Sequence, residues 1–207
     1  MSLVNKVKSL GARATMNEND VRALLAKDHE EAKKLAKQMH ETASATRRMA
    51  LLGKLKPALT AHSRAEEKVV YDTLLRVRAS DESHELGDEG YVEHSLVDEL
   101  LLTLSSTRAS TERWKATAKV LHEMLEHHIE EEESDIFALL GDHLDRDQLQ
   151  AMGAQFTRLK SEVLRAPKAL PKPRAVTSQK RRVTTVKKSV RRAASRSTRP
   201  TRKSASK

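Results

Sequence analysis

The sequence predicts an all-α protein: an antiparallel up-down four-helix bundle with a short additional C-terminal helix and a disordered basic tail. Three observations carry this. Residues 20–164 are rich in Ala, Leu, Glu, Lys and Arg, with few Gly or Pro and no convincing strand pattern. Apolar residues recur there every three or four positions, the spacing of a helix buried on one face. The charge divides sharply: of the 207 residues, those from Arg165 to Lys207 include 16 basic and no acidic ones, against 23 basic and 29 acidic before them. The net charge of +10 is therefore an average over an acidic body and a strongly basic tail. With no cysteine, disulfide frameworks, thiolate zinc sites, iron–sulfur clusters and cysteine nucleophiles are excluded, and any metal must be held by His and carboxylates. No apolar run approaches the roughly 18 residues of a membrane span, and the first 20 residues hold no continuous apolar stretch, so a soluble, cytoplasmic protein is expected.

The chain divides into a flexible lead-in (1–18), a helical body (19–164) and the tail (165–207). The first helix is expected from the N-cap Asp20 to His40 or Ala43, with Val21, Leu25, Ala32, Leu35, Ala36 and Met39 inward. A second spans about 47–75 and carries Pro57, which predicts a bend without a break. A third covers about 83–104, a fourth runs from Ser110 or Thr111 to about Leu140, and a fifth, capped by Asp145, extends to Leu164 and covers one side of the bundle. From Pro167 onward there is too little apolar surface to offset the entropy of ordering.

The chemistry lies in two His-x-x-x-Glu pairs, His62 with Glu66 and His128 with Glu132. Four-residue spacing puts both side chains on one helical face, but His122–Glu126 and His127–Glu131 show how common that spacing is. Register separates them. Leu52, Leu55, Leu59, His62, Glu66 and Val69 step by three or four, as do Ala118, Leu121, Leu125, His128, Glu132 and Ile136, so both pairs stand where Leu would face the core. Carboxylates at core positions need a positive partner, because an unpaired buried charge costs several kcal/mol. His29 and His94 lie on the inward stripes of the first and third helices, and the separations His29–His62 (33 residues) and His94–His128 (34 residues) form an approximate repeat. Four imidazoles and two carboxylates at one depth suit two close metal ions. Iron or manganese matches the donors, zinc is also accommodated, and positions remain for water, oxygen or peroxide.

The segments KDHEEAKKL (27–35), LTAHSRAEEKVVY (59–71), EHSLVDELL (93–101) and HHIEEEESDIFALL (127–140) resemble the hemerythrin-like HHE cation-binding family. The resemblance implies a bundle enclosing a non-haem di-iron site with His29, His62, Glu66, His94, His128 and Glu132 as ligands. Hemerythrins that carry oxygen reversibly are similar to one another in having a second His four residues after the third-helix ligand, where this chain has Asp98, and an Asp five residues after the last His, where this chain has Glu133 while Glu132 has the better inward register. One imidazole of the carrier pattern is missing, which argues against simple oxygen transport and makes Asp98 a candidate substitute ligand. Tyr91, one turn before His94, is a candidate hydrogen-bond donor to a ligand, and Glu67 and Glu131 are candidates to orient a ligand imidazole.

The clusters Lys180-Arg181-Arg182, Lys187-Lys188 and Arg191-Arg192 resemble the tails of linker histones and bacterial nucleoid proteins. A flexible polycation displaces condensed counterions from phosphate backbones, and without aromatics it has no stacking platform for reading bases. DNA or another polyanion is the expected partner, which implies nucleoid association. The functional expectation is a di-iron protein that binds or reduces oxygen, peroxide or nitric oxide beside nucleic acid. An iron or oxygen sensor or storage protein without turnover, and a nucleoid architectural protein, are the alternatives.

Overall fold

The computed structural model describes residues 17–76 and 81–166. These residues form five helical rods and no strand. Helix α1 is Val21–Glu41, with the Asp20 side chain accepting from the Arg22 amide. Helix α2 is Ala45–Glu66, capped by Ser44, and runs on through a π-helical turn, Glu67–Tyr71, into Asp72–Leu74. Helix α3 is Asp81–Ser106. Helix α4 is Glu112–Glu131, capped by Thr111, and continues through a second π turn, Glu132–Ile136, into Phe137–His143. Helix α5 is Arg146–Arg165, opened by a reciprocal capping box between Asp145 and Gln148. The expected lead-in and tail fall almost entirely outside the described residues.

Helix α2 is continuous through Pro57. The carbonyl that Pro57 cannot bond belongs to Gly53, which sits in open space. The two π turns were not anticipated. The first follows directly on the His62–Glu66 pair and the second begins at Glu132 of the His128–Glu132 pair, where the wider turn re-aims the side chains that follow.

Helix α1 packs against α2, α4 and α5, α2 also packs against α3 and α5, and α3 packs against α4. The buried apolar side chains form two clusters. One gathers Ala36, Met39, Leu52, Leu55, Leu104, Trp114, Leu121 and Leu125. The other gathers Val21, Leu25, Val69, Tyr71, Leu74, Phe137, Leu140 and Phe156. The first is anchored where Trp114 Nε1 donates to the Leu104 carbonyl (3.1 Å) and Arg48 donates to the Ala109 carbonyl (2.8 Å). The candidate ligands lie between the clusters.

Helix α5 is seated by Gly153. A Cβ there would lie 2.1 Å from the backbone oxygen of Asn19, so only glycine allows this approach. Gly153→Ala is therefore expected to destabilise the fold, although Ala is favoured over Gly by about 1 kcal/mol inside a helix. A lower midpoint in urea unfolding checks this, and an unchanged or higher midpoint would contradict the packing described.

Candidate metal centre

His29 from α1, His62 from α2, His94 from α3 and His128 from α4 converge with Glu66 and Glu132, each of the six 5% exposed or less. The imidazoles form two pairs. The rings of His29 and His62 are 4.9 Å apart, and those of His94 and His128 are 5.1 Å apart. The carboxylates span between the pairs. Glu66 Oε2 lies 3.1 Å from His62 Nε2 and 3.4 Å from His94 Nε2, while Glu132 Oε2 lies 3.2 Å from His29 Nε2 and 3.7 Å from His128 Nε2. Two triads bring three donor atoms within 4.8 Å of one another, His29–His62–Glu66 and Glu66–His94–His128, and they share Glu66.

Every imidazole turns Nε2 inward and Nδ1 to an outer carboxylate: His29 to Glu133 at 3.1 Å, His62 to Asp28 at 3.2 Å, His94 to Glu67 at 3.2 Å and His128 to Glu93 at 2.6 Å. This carboxylate–imidazole arrangement fixes a ligating histidine's tautomer and ring plane. The inner side is left short of partners. His29 Nε2, His128 Nε2, Glu66 Oε1 and Glu132 Oε2 are buried without a hydrogen bond. Buried polar atoms left without a hydrogen bond where four imidazoles and two carboxylates converge fit a cation, and nitrogen and oxygen donors of this kind suit iron, manganese or zinc.

The halves repeat in sequence. An acid directly before a His (Asp28-His29, Glu93-His94) is followed by His-x-x-x-Glu-Glu (His62 to Glu67, His128 to Glu133). The preceding acid holds the imidazole of the returning helix, and the second Glu holds that of the outgoing helix. Asp28, Glu93 and Glu133 were not recognised as outer partners, although each adjoins a candidate ligand in the chain; Glu67 was. The π turns bring the residue five after each inner Glu into the site. Tyr71 lies 5.2 Å from His94, ring to ring, and Phe137 stacks on His29 at 6.3 Å. An ideal α-helix would place that residue about 140° away at 100° per residue, which is why Tyr71 escaped the periodicity argument. The Tyr71 hydroxyl lies 3.2 Å from Glu132 Oε1 and 3.5 Å from Glu66 Oε2. Gly90 makes room for it, since a Cβ there would lie 2.5 Å from the Tyr71 ring.

Other expectations need correction. Tyr91 stands further out, its hydroxyl 3.1 Å from the Glu67 carbonyl and 2.8 Å from Asp72. Asp98 is not among the converging donors but pairs with Arg64, which also holds Glu67. Glu131 is 42% exposed and pairs with His127 at 3.5 Å, so it orients no ligand imidazole. The tail residues Lys180, Arg181, Arg182, Lys187, Lys188, Arg191 and Arg192 lie outside the described residues.

A cavity of about 40 Å³ opens beside the four imidazoles. Ala32, Leu35, Leu59, Val97, Leu125 and Ile129 line it, together with Asp28, Glu31 and Lys160. Its size is that of a very small molecule.

Without metal, the buried carboxylates favour protons on His62 and His94. Burial alone lowers an imidazole's pKa, but the charge of Glu66 and the hydrogen bond to Asp28 push His62 up to about 10. Hydrogen bonds to Glu66 and Glu67 likewise outweigh burial and push His94 up to about 9. Burial would raise Glu66, but His62 and His94 hold it well below the usual carboxylate range. Tyr71 is pushed well up, by burial and then by the charges of Glu132 and Glu66, so its proton stays on at neutral pH.

The hemerythrin HHE cation-binding domain family matches residues 20–140, and the chain belongs to that family. The site is thus that of a domain that binds metal cations. The chain is 32% identical over 105 residues to an uncharacterized hemerythrin-like protein of Schizosaccharomyces pombe, covering 51% of each chain. It is 26% identical over 148 residues to a protein of Nostoc sp. (strain PCC 7120 / SAG 25.82 / UTEX 2576) named DNA nickase, covering 72% of this chain and 40% of the relative. The chain thus spans only about half or less of the length of these two relatives. No solved structure matches. Helix α5 lies beyond the matched segment.

The raised imidazoles set the pH dependence. A group whose folded pKa exceeds its unfolded value stabilises fully below the unfolded value, here 6.5, and loses that contribution as pH rises through the folded value, about 10 for His62 and about 9 for His94. Chelator-treated protein is therefore expected to melt at progressively lower temperature from about pH 7 to 10. The metal-loaded protein, whose imidazoles are already neutral, should show a much flatter profile. Parallel thermal melts across that range check this.

Proposed function

We propose that the chain is a non-haem di-iron protein that binds or reduces oxygen, peroxide or nitric oxide, with its basic tail binding nucleic acid. The observation that carries the reading is the shared Glu66: two donor triads joined by one buried carboxylate call for two adjacent cations. His29, His62 and Glu66 would hold one ion and His94 and His128 the other, with Glu66 and Glu132 spanning both. A ferrous pair supplies two electrons, the number needed to take oxygen to the level of peroxide or peroxide to water. Manganese or zinc in the same donors would bind without that consequence.

The chain's own contributions follow from the geometry. Four outer carboxylates hold the imidazoles in plane, so the site changes charge without rearranging. The apolar cavity wall admits a small molecule and keeps bulk water away. The Tyr71 hydroxyl retains its proton beside both inner carboxylates and can donate a hydrogen bond at its Oη. The bundle reading, four antiparallel helices with α5 against one side, is supported by four imidazoles arriving one from each of four successive helices.

The tail's share of the reading is electrostatic. Sixteen basic and no acidic residues from Arg165 to Lys207 supply a nonspecific polyanion-binding segment, and the name DNA nickase on one relative is in keeping with a DNA-associated role. A sensor reading is supported by the position of the polar layer between two apolar clusters, which couples metal occupancy to core stability.

Anaerobic addition of Fe(II) to the full chain is expected to load about two irons per chain, followed on exposure to air by ferric absorption that shifts with azide. Metal-dependent consumption of peroxide should accompany it and be lost in His62→Ala and Glu66→Ala. A folded protein that takes up no metal would overturn the reading, and stoichiometric iron without turnover would select the sensor or storage role. Truncation after Leu164 should abolish DNA binding, which in the full chain weakens steeply as salt is raised. Retention of full affinity by the truncated chain, in a gel-shift titration, would refute the assignment to the tail.

A further inference from the structure

The repeat makes the two halves of the site comparable position by position, and they differ at the outer carboxylate that precedes each first His. Asp28, before His29, accepts from Lys160 of α5: Lys160 Nζ stands 2.5 Å from both Asp28 oxygens, and Asp28 Oδ2 also faces His62 Nδ1 at 3.2 Å. Glu93, before His94, plays the same part toward His128. Among the described residues it has no lysine or arginine within ion-pair distance, and it stands instead beside His127 and Glu131. Helix α5 adds a second contact on the Lys160 side. Phe156, one turn earlier and 2% exposed, packs edge-on against the His62 ring at 5.7 Å and 83°, with Lys160 Nζ 5.9 Å from its centroid.

We propose that Lys160 is a positioning residue for the metal centre, locking Asp28 onto His62 so that the His29–His62 half retains its cation. The proposal rests on the two-cation reading above. An aspartate at the rim of a cavity is free to rotate toward water. A cation on both oxygens removes that freedom and leaves Oδ2 directed at the His62 ring, while Phe156 blocks the ring from turning about its own axis. With Nδ1 and the ring plane held, Nε2 is presented toward Glu66. Among the described residues the sequence-equivalent pair Glu93–His128 has no such clamp, so the two cation positions differ in their surroundings, and α5, which lies outside the family match, is part of the centre.

Lys160 and Asp28 keep 27% and 17% of their side-chain surface exposed, so solvent still screens the pair and its own contribution to folding is modest. Losing an outer partner of a ligating imidazole typically costs 10–100-fold in metal affinity. The effect of removing the lysine should thus be read at the metal rather than in the stability of the metal-free chain.

The test uses the full chain loaded anaerobically with Fe(II), freed of excess metal and mixed with an excess of a chromophoric ferrous chelator. Wild type is expected to release two irons. In Lys160→Gln one of the two should leave at least about tenfold faster while the other keeps its wild-type rate. Lys160→Arg, which restores a cation able to bond both oxygens, should recover the slow phase, and the metal-free melting temperature of all three chains should agree closely. Asp28→Asn should reproduce the defect, with the double variant no worse than the single, as expected for residues acting through one contact. If wild type holds two irons and Lys160→Gln releases both at wild-type rates, Lys160 does not act on the centre. If both irons leave faster by the same factor, with a lowered melting temperature, Lys160 is only a tether for α5. Either outcome overturns the proposal while leaving the di-iron reading intact; a wild-type chain that takes up no iron overturns that reading and this one together.

Discussion

Six ionisable side chains are buried in one layer between two apolar clusters, and the rest of the molecule answers to the cost of that layer. An isolated charge in such a place is worth several kcal/mol against folding. The layer is tolerable because each imidazole is paired with an outer carboxylate at Nδ1 and has an inner carboxylate 3.1–3.7 Å from Nε2. In the metal-free state the same pairing makes His62 and His94 strongly basic, so protons occupy the role that a cation would take. A site of this kind is preorganised: exchanging protons for a cation changes charge, while the donor atoms already stand where they are needed.

The outer carboxylates are supplied economically in sequence. Each adjoins an inner donor, so one stretch of helix sends neighbouring side chains in two directions, one to its own half of the site and one to the imidazole arriving from another helix. This cross-bracing ties α1 to α2 and α4, and α3 to α2 and α4, through the site itself. The π turns complete it. By widening the helix at the end of each His-x-x-x-Glu they bring in Tyr71 at one end and Phe137 at the other, a proton donor against one half and an apolar plate against the other. The centre therefore has two similar halves with unlike surroundings, and Lys160 and Phe156 of α5 extend the asymmetry.

Much of the fold was legible because its signals are local. Helix positions followed from apolar periodicity and from the caps Asp20 and Asp145, and placing His62, Glu66, His128 and Glu132 inward needed only their register against Leu and Ala. The inward stripes of α1 and α3 singled out His29 and His94 in the same way. Register fails where the helix departs from 3.6 residues per turn, and this is why Tyr71 was missed in favour of Tyr91. It also carries no information about partners. Glu67 was selected for nearness to a ligand, and Asp98 for its spacing from His94, yet one bonds His94 and the other pairs with Arg64.

By itself the sequence determined that the body is helical, that two His-x-x-x-Glu pairs and two further histidines face its interior, and that the chain's basic charge is concentrated at its C-terminal end. These are properties of spacing and composition, set by the geometry of a single helix and by counting. The tertiary structure decided which imidazole meets which carboxylate, that Glu66 is shared between two triads, that Asp28 serves His62 rather than its neighbour His29, and that a lysine 132 residues further along the chain clamps it. Those contacts join side chains on different helices, and their distances depend on how the helices pack, which no periodicity within one helix records.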